Sequence, residues 1–167
     1  VQGLWTSGTG GYRNPMPDSQ STNAGFSAPS DPIELIDAYF DRVGSGGPSV
    51  ADLFSDDVVW RTPQSSPMAG PYIGKAAVLE LMSGGVGLYD PSVPMELRRD
   101  AIAANGEQVF VEMTITARTG QGEPYENHYV FVFTIRDQRI TEVHEHLDTL
   151  YAQRKLFDPV GQHSPLR

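Results

Sequence analysis

Apolar and polar positions along this chain follow two rhythms. From Asp31 onward, Ile33, Ile36, Phe40 and Val43 recur every three or four residues, with Leu35 and Tyr39 widening the stripe, which predicts an amphipathic helix. Asp31 as N-cap, Pro32 at the first helical position and Glu34 three residues after the cap mark its start, and Gly44 is a natural stop. Pro48 to Phe54 allows a second short helix. Asp57 to Thr62 then reads as a strand ended by Pro63, and the Pro- and Gly-rich stretch to Gly74 as a loop bordering a pocket. Lys75 to Met82 is helical and is expected to stop at Gly84-Gly85. After that the rhythm is that of strands: Met95 to Ile102, a turn at Asn105-Gly106, Glu107 to Arg118, and two β-branched and aromatic runs around Asp137-Gln138 within Tyr125–Tyr151. From Leu150 the chain reads as a short polar ending. Helices early and an antiparallel meander late make an α+β fold: a cone-shaped barrel in which helices close a curved, mixed or antiparallel sheet over an apolar pocket.

The last hairpin carries three of the four histidines, with Glu145 and Asp148 beside them. A two-residue turn pairs Arg136 with Arg139. Val130 then faces Glu145, Val132 faces Val143 and His128 faces Leu147. One face holds His128, Val130, Val132, Thr134, Val143, Glu145 and Leu147. The other holds Tyr129, Phe131, Phe133, Ile135, Ile140, Glu142, His144 and His146. Both faces are apolar enough to need cover, one from the chain's own helices and the other from a second subunit in a homodimer. A bulge or a slip of one residue would exchange them.

Composition narrows the classes. The chain has 167 residues and a net charge of −9, which argues for one domain and against nucleic acid or an anionic membrane as main partner. No apolar run approaches membrane-spanning length. No basic start followed by an apolar stretch is visible at the N-terminus, so a cytoplasmic location is the expectation. Cysteine is absent, which removes disulfides and thiolate chemistry. Residues 1–30 are rich in Gly, Ser, Thr, Asn and Pro and read as a flexible tail, residues 31–151 as the folded domain and residues 152–167 as an extension.

Several side chains are candidates for chemistry. Glu145, ringed by Val130, Val132 and Val143, would have its charged form disfavoured and its pKa raised toward useful proton transfer. The plain alternative is a carboxylate that keeps a strand soluble. His128, on the same face, could donate to a substrate oxygen, or be a histidine satisfied by its neighbours. A bulge could bring Asp148 to the pocket mouth, or it could simply cap a turn. Trp60, Tyr72 and Tyr39 would hold a hydrophobic substrate or be core. His144 and His146 share a face from which Glu145 points away, so no converging metal site is expected. Phosphate-loop, nucleophile-elbow and dinucleotide motifs are missing, and no cofactor is expected.

The order of elements, with RITEVHEHLDT and YENHYVFVFTI, resembles the SnoaL-like polyketide-cyclase branch of the nuclear-transport-factor-2-like superfamily, to which ketosteroid isomerases also belong. Around Tyr125-Glu126-Asn127-His128 the chain looks close to phenazine-biosynthesis A/B proteins. The resemblance spans about Asp31 to Tyr151. It implies a pocket on the concave side of the sheet, with Glu145 matching the acid of the last strand and Asp148 a further acid after it. It further implies a biosynthetic enzyme that cyclises, isomerises or dehydrates a hydrophobic, oxygenated, polyketide-like small molecule by acid–base chemistry. Two rivals are a limonene-epoxide-hydrolase-like catalyst and a non-catalytic ligand-binding module. The first would place an arginine where this chain has His144.

Overall fold

The computed structural model describes residues 5–6, 31–45 and 49–166. The flexible tail expected over residues 1–30 therefore lies outside the described residues, except for a two-residue strand, β1 (Trp5–Thr6). Helix α1 (Pro32–Ser45) starts where its cap predicts, the Ile33 N–H donating to Asp31 Oδ1 at 2.8 Å. Leu35, Ile36 and Tyr39 are the buried centre of its stripe. A 3-10 turn (Val50–Leu53), capped by Ser49, leads into β2 (Phe54–Arg61). After the loop come β3 (Tyr72–Ile73) and α2 (Lys75–Val86). Helix α2 runs through Gly84 and Gly85 and does not stop there. Each glycine costs a helix about 1 kcal/mol relative to alanine, but Met82 and Val86 gain packing at the hollow described below, and tertiary burial outweighs propensity.

Four long strands follow: β4 (Met95–Asn105), β5 (Gln108–Arg118), β6 (Pro124–Arg136) and β7 (Arg139–Leu147). The sheet order is β1-β4-β5-β6-β7-β2-β3, with β1–β4 and β2–β7 parallel and the other pairs antiparallel. Its two edges do not meet, so the mixed sheet curves into a cone without closing, and α1 and α2 cover the concave side. The fold is α+β, as its element order predicts. The supposed polar ending is instead helical: α3 (Thr149–Ala152), a π-turn (Gln153–Phe157) and a 3-10 turn (Asp158–Val160). Ala152, Leu156 and Phe157 are buried against Tyr125 and close one end of the cone.

The β6–β7 register departs from expectation at one residue. Arg136 pairs with Arg139 and Ile135 with Ile140, but Thr134 then pairs with Glu142. Thr141 is the extra residue of a bulge, and its hydroxyl donates to the Thr134 carbonyl at 3.2 Å. Beyond it Phe133 faces Val143, Phe131 faces Glu145 and Tyr129 faces Leu147. Ile140 and Val143 both turn into the core, where each is fully buried. The face assignment for β7 is thereby reversed relative to β6: Glu145 joins the aromatic side, and His144 and His146 join His128, Val130 and Val132 on the convex side.

At the hairpin tip Asp137 and Gln138 both have positive φ, 49° and 57°. Two-residue hairpin loops take this conformation because it matches strand twist, but it costs a non-glycine residue energy. Gln138→Gly is accordingly expected to raise stability by about 1 kcal/mol, read as a higher urea midpoint at unchanged slope.

Candidate functional site

The concave side of the sheet, α1, α2, the loop after β2 and the C-terminal turns enclose a cavity of about 190 Å³. Its wall is mostly apolar and includes Met68, Met82, Met95 and Met113, unbranched side chains that adapt to a ligand's shape. Glu145 is the one charged side chain among its lining residues, and no Lys, Arg or His is among them. Strand pairing puts it there: Trp60 on β2 pairs with Val143 on β7, so Trp60 and Glu145 share the concave side. The indole N–H of Trp60 donates to Glu145 Oε2 at 3.0 Å. Among the described residues nothing donates to its other oxygen. Glu145 keeps some accessible surface because its carboxyl borders the hollow and not packed side chains. That surface opens onto a mostly apolar wall, so the carboxylate is less well solvated than one on the outside of the protein. Burial pushes the Glu145 pKa up from 4.5 to about 7, and the Trp60 hydrogen bond only partly opposes it.

Hydroxyl groups line another part of the wall. Tyr129 and Tyr89 both border the cavity. The Tyr129 and Tyr125 hydroxyls are 2.8 Å apart, and Tyr89 reaches the same pair. Asn127 donates to the Tyr125 hydroxyl at 2.9 Å. Burial is the main cause that holds the pKa of all three phenols above the usual value, so they remain neutral donors at physiological pH. Tyr39, from α1, also lines the cavity and is pushed up by burial first and by Glu145 second.

Of the three expected catalytic residues, only Glu145 reaches the cavity. His128 is exposed on the convex face, its Nδ1 3.1 Å from Thr114 Oγ1, and that hydroxyl donates to Asp100 Oδ2 at 2.6 Å. Asp148 caps α3, accepting the Tyr151 N–H at 2.9 Å, and stands outside the cavity wall. The two acids that epoxide opening would need beside one water are therefore not brought together. Trp60 and Tyr39 line the hollow as expected. Tyr72 pairs with Trp60 but packs at the rim of the core outside the lining residues, its pKa raised by burial and then by Glu145. Val143 is buried beside Trp60 without lining the cavity. Val130 is 39% exposed and, with Val132, belongs to the convex face. The bulge at Thr141 explains the misplacement of His128, Val130 and Val132, because the expected face assumed an unbroken alternation. His144 contacts Glu142 at 3.0 Å, and among the described residues no three His, Asp or Glu side chains are placed to hold a metal.

The tyrosine cluster was not anticipated. Its signal is the same-face spacing of Tyr125, Asn127 and Tyr129 on β6, together with an isolated Tyr89 in the α2–β4 connection. No helix among the described residues is long and apolar enough to cross a membrane.

Comparison with known proteins agrees with this architecture. The model of the SnoaL-like domain family matches residues 36–143. The chain is similar to an NTF2-like protein from Burkholderia xenovorans, at 25% identity and TM-score 0.64 over 79% of this chain and 99% of that one. It is similar to an NTF2-like protein of unknown function from Burkholderia pseudomallei, at 19% identity and TM-score 0.67 over 75% and 97%. A third likeness is to a hypothetical protein with a ketosteroid isomerase-like fold from Catenulispora acidiphila, in complex with trimethylamine, at 11% identity and TM-score 0.61 over 74% and 92%. No curated protein matches the chain.

Proposed function

Because the chain belongs to the SnoaL-like domain family, we propose that it is an acid–base catalyst, needing no cofactor, that cyclises, isomerises or dehydrates a hydrophobic, oxygenated small molecule. The observation that carries this reading is a single carboxyl, Glu145, in an otherwise uncharged hollow, with a pKa of about 7. A group with that pKa accepts and returns a proton at neutral pH with little cost either way. Its unengaged oxygen is the atom that would take a proton from a carbon beside a carbonyl. Negative charge would then build on the carbonyl oxygen, which the tyrosine hydroxyls can receive as hydrogen-bond donors. Returning the proton to a different carbon gives isomerisation. Attack of the carbanion on a second carbonyl of the same molecule, with Glu145 returning its proton to the new alkoxide, gives cyclisation, and loss of a hydroxyl from the adjacent carbon as water, carrying the Glu145 proton, gives dehydration. Methionines, Trp60 and Tyr39 supply the apolar walls.

The test is exchange of carbon-bound hydrogen in deuterated water. A panel of neutral, apolar ketones is incubated with the protein and the α positions are followed by NMR. Exchange above the buffer rate is expected for at least one ketone. Because Glu145 must be ionised to act as base, kcat/KM for exchange is expected to fall about tenfold per pH unit below about 7 and to level off above it. A ketone that binds in the cavity and never exchanges would reduce the site to a binding pocket.

A further inference from the structure

The hydroxyl cluster ends on a side chain that has no freedom to turn. Asn127 is buried on β6, its Oδ1 accepting the His128 N–H at 2.9 Å. Its Nδ2 donates to the Tyr125 hydroxyl at 2.9 Å and to the Asp148 carbonyl at 3.1 Å. Turning the amide over would set NH₂ against the His128 N–H and oxygen against the Asp148 carbonyl, so its partners dictate the orientation. Tyr125 therefore receives a hydrogen bond from a group that cannot take one back. A phenol has one hydrogen, and that of Tyr125 must go to a neighbouring tyrosine. Tyr129, at 2.8 Å, is in place to accept it. Accepting there leaves the Tyr129 hydrogen for the cavity, which Tyr129 lines together with Tyr89, the other hydroxyl within its reach. An anionic ligand group would lie near Glu145 without a counter-charge, since no basic side chain lines the wall.

We propose that Asn127 is a positioning residue that sets the direction of the Tyr125–Tyr129 hydrogen bonds, so that the cavity offers a donor there and selects ligands with an uncharged acceptor oxygen, such as a ketone, quinone or lactone carbonyl. The assignment rests on the cavity being the ligand site, as in the reading above, but it concerns recognition and is read by binding. Asn127→Asp keeps an acceptor for the His128 N–H and turns the group facing Tyr125 from donor to acceptor. The chain of hydroxyls then reverses and its donor is withdrawn from the cavity.

The experiment uses α-tetralone as the acceptor probe and tetralin as a probe of the same shape without oxygen, at pH 8. Wild type is expected to bind α-tetralone, with its C=O stretch shifted to lower frequency by infrared difference spectroscopy. In Asn127→Asp the affinity for α-tetralone should drop about tenfold or more, the loss of one well-made hydrogen bond, and the frequency shift should disappear. Tetralin affinity should be unchanged. Tyr129→Phe, which removes the donor itself while keeping the ring in the wall, should behave the same way and stands in if the aspartate variant fails to fold. Retained affinity and frequency shift in both variants, an equal loss for tetralin, or an unshifted carbonyl in wild type would each overturn the proposal. A polarised carbonyl without hydrogen exchange would leave this assignment standing and remove the catalytic one.

Discussion

Glu145→Gln is expected to make the protein more stable at pH 8 while slowing proton transfer by about a hundredfold or more. The folded-state pKa of Glu145 is about 7, against 4.5 for a free glutamate. Between those pH values the folded protein holds a proton that the unfolded chain has released. Stability is therefore fullest below 4.5 and falls as pH rises toward 7. The loss amounts to about 2–3 kcal/mol once some screening by water in the cavity is allowed. Glutamine keeps an acceptor for the Trp60 indole and carries no charge, so it escapes the loss. For a chain of this size the gain corresponds to a melting temperature higher by roughly 5–10 °C at pH 8. At pH 4 the two proteins should melt together, because both side chains are then neutral. Thermal unfolding at the two pH values measures the effect. A variant no more stable than wild type at pH 8 would mean that the carboxylate is well solvated, and the proposed base would lose its physical basis. Stability gained where function is lost is the usual sign of a site held at a cost.

Most of the architecture was legible because local signals agreed with one another. The Asp31-Pro32 start, the stripe of α1, the Asn105-Gly106 turn and the long strands each point to the observed element. Three features escaped for separate physical reasons. Gly84-Gly85 reads as a helix end by propensity, yet packing around the cavity carries α2 past it. Residues 152–157 look polar in composition, but Ala152, Leu156 and Phe157 all fall on the side that meets Tyr125. His128 was drawn to the pocket by an unbroken register, and Asp148 by a bulge expected near the end of the strand. Their local partners, Thr114 and the Tyr151 N–H, are set by the other face and by the helix that follows. Glu145 reached the cavity by a different route from the expected one. It was placed among valines of β6 and lies beside Phe131, Trp60 and Leu147. The clue that would have corrected this was available: Ile140 and Val143 are both strongly apolar and three residues apart, which a regular strand cannot bury on one side.

That spacing makes two single-residue deletions in β7 behave in opposite ways. Removing Thr141 takes out the extra residue and leaves Ile135–Ile140 and Thr134–Glu142 as consecutive pairs, so Val143, Glu145 and Leu147 keep facing inward. The cost should be confined to the shifted contact with β2 and the lost Thr141 hydroxyl bond, about 1–2 kcal/mol. Removing His144 instead breaks the alternation. Val143 would stay in the core, but Glu145 and Leu147 would turn to the convex face and His146 inward. Losing the burial of a leucine costs about 2–5 kcal/mol, and an imidazole without a partner in the core adds about 1–3 kcal/mol. Since a domain has about 5–15 kcal/mol of stability in all, this deletion is expected to unfold the protein or leave it barely folded, without its carboxyl in the cavity. Urea midpoints of the two variants, with α-tetralone binding as a check on the cavity, decide the matter. Equal stability would mean that Thr141 is not the extra residue, and with it would go the reason Glu145, and none of the three hairpin histidines, faces the cavity.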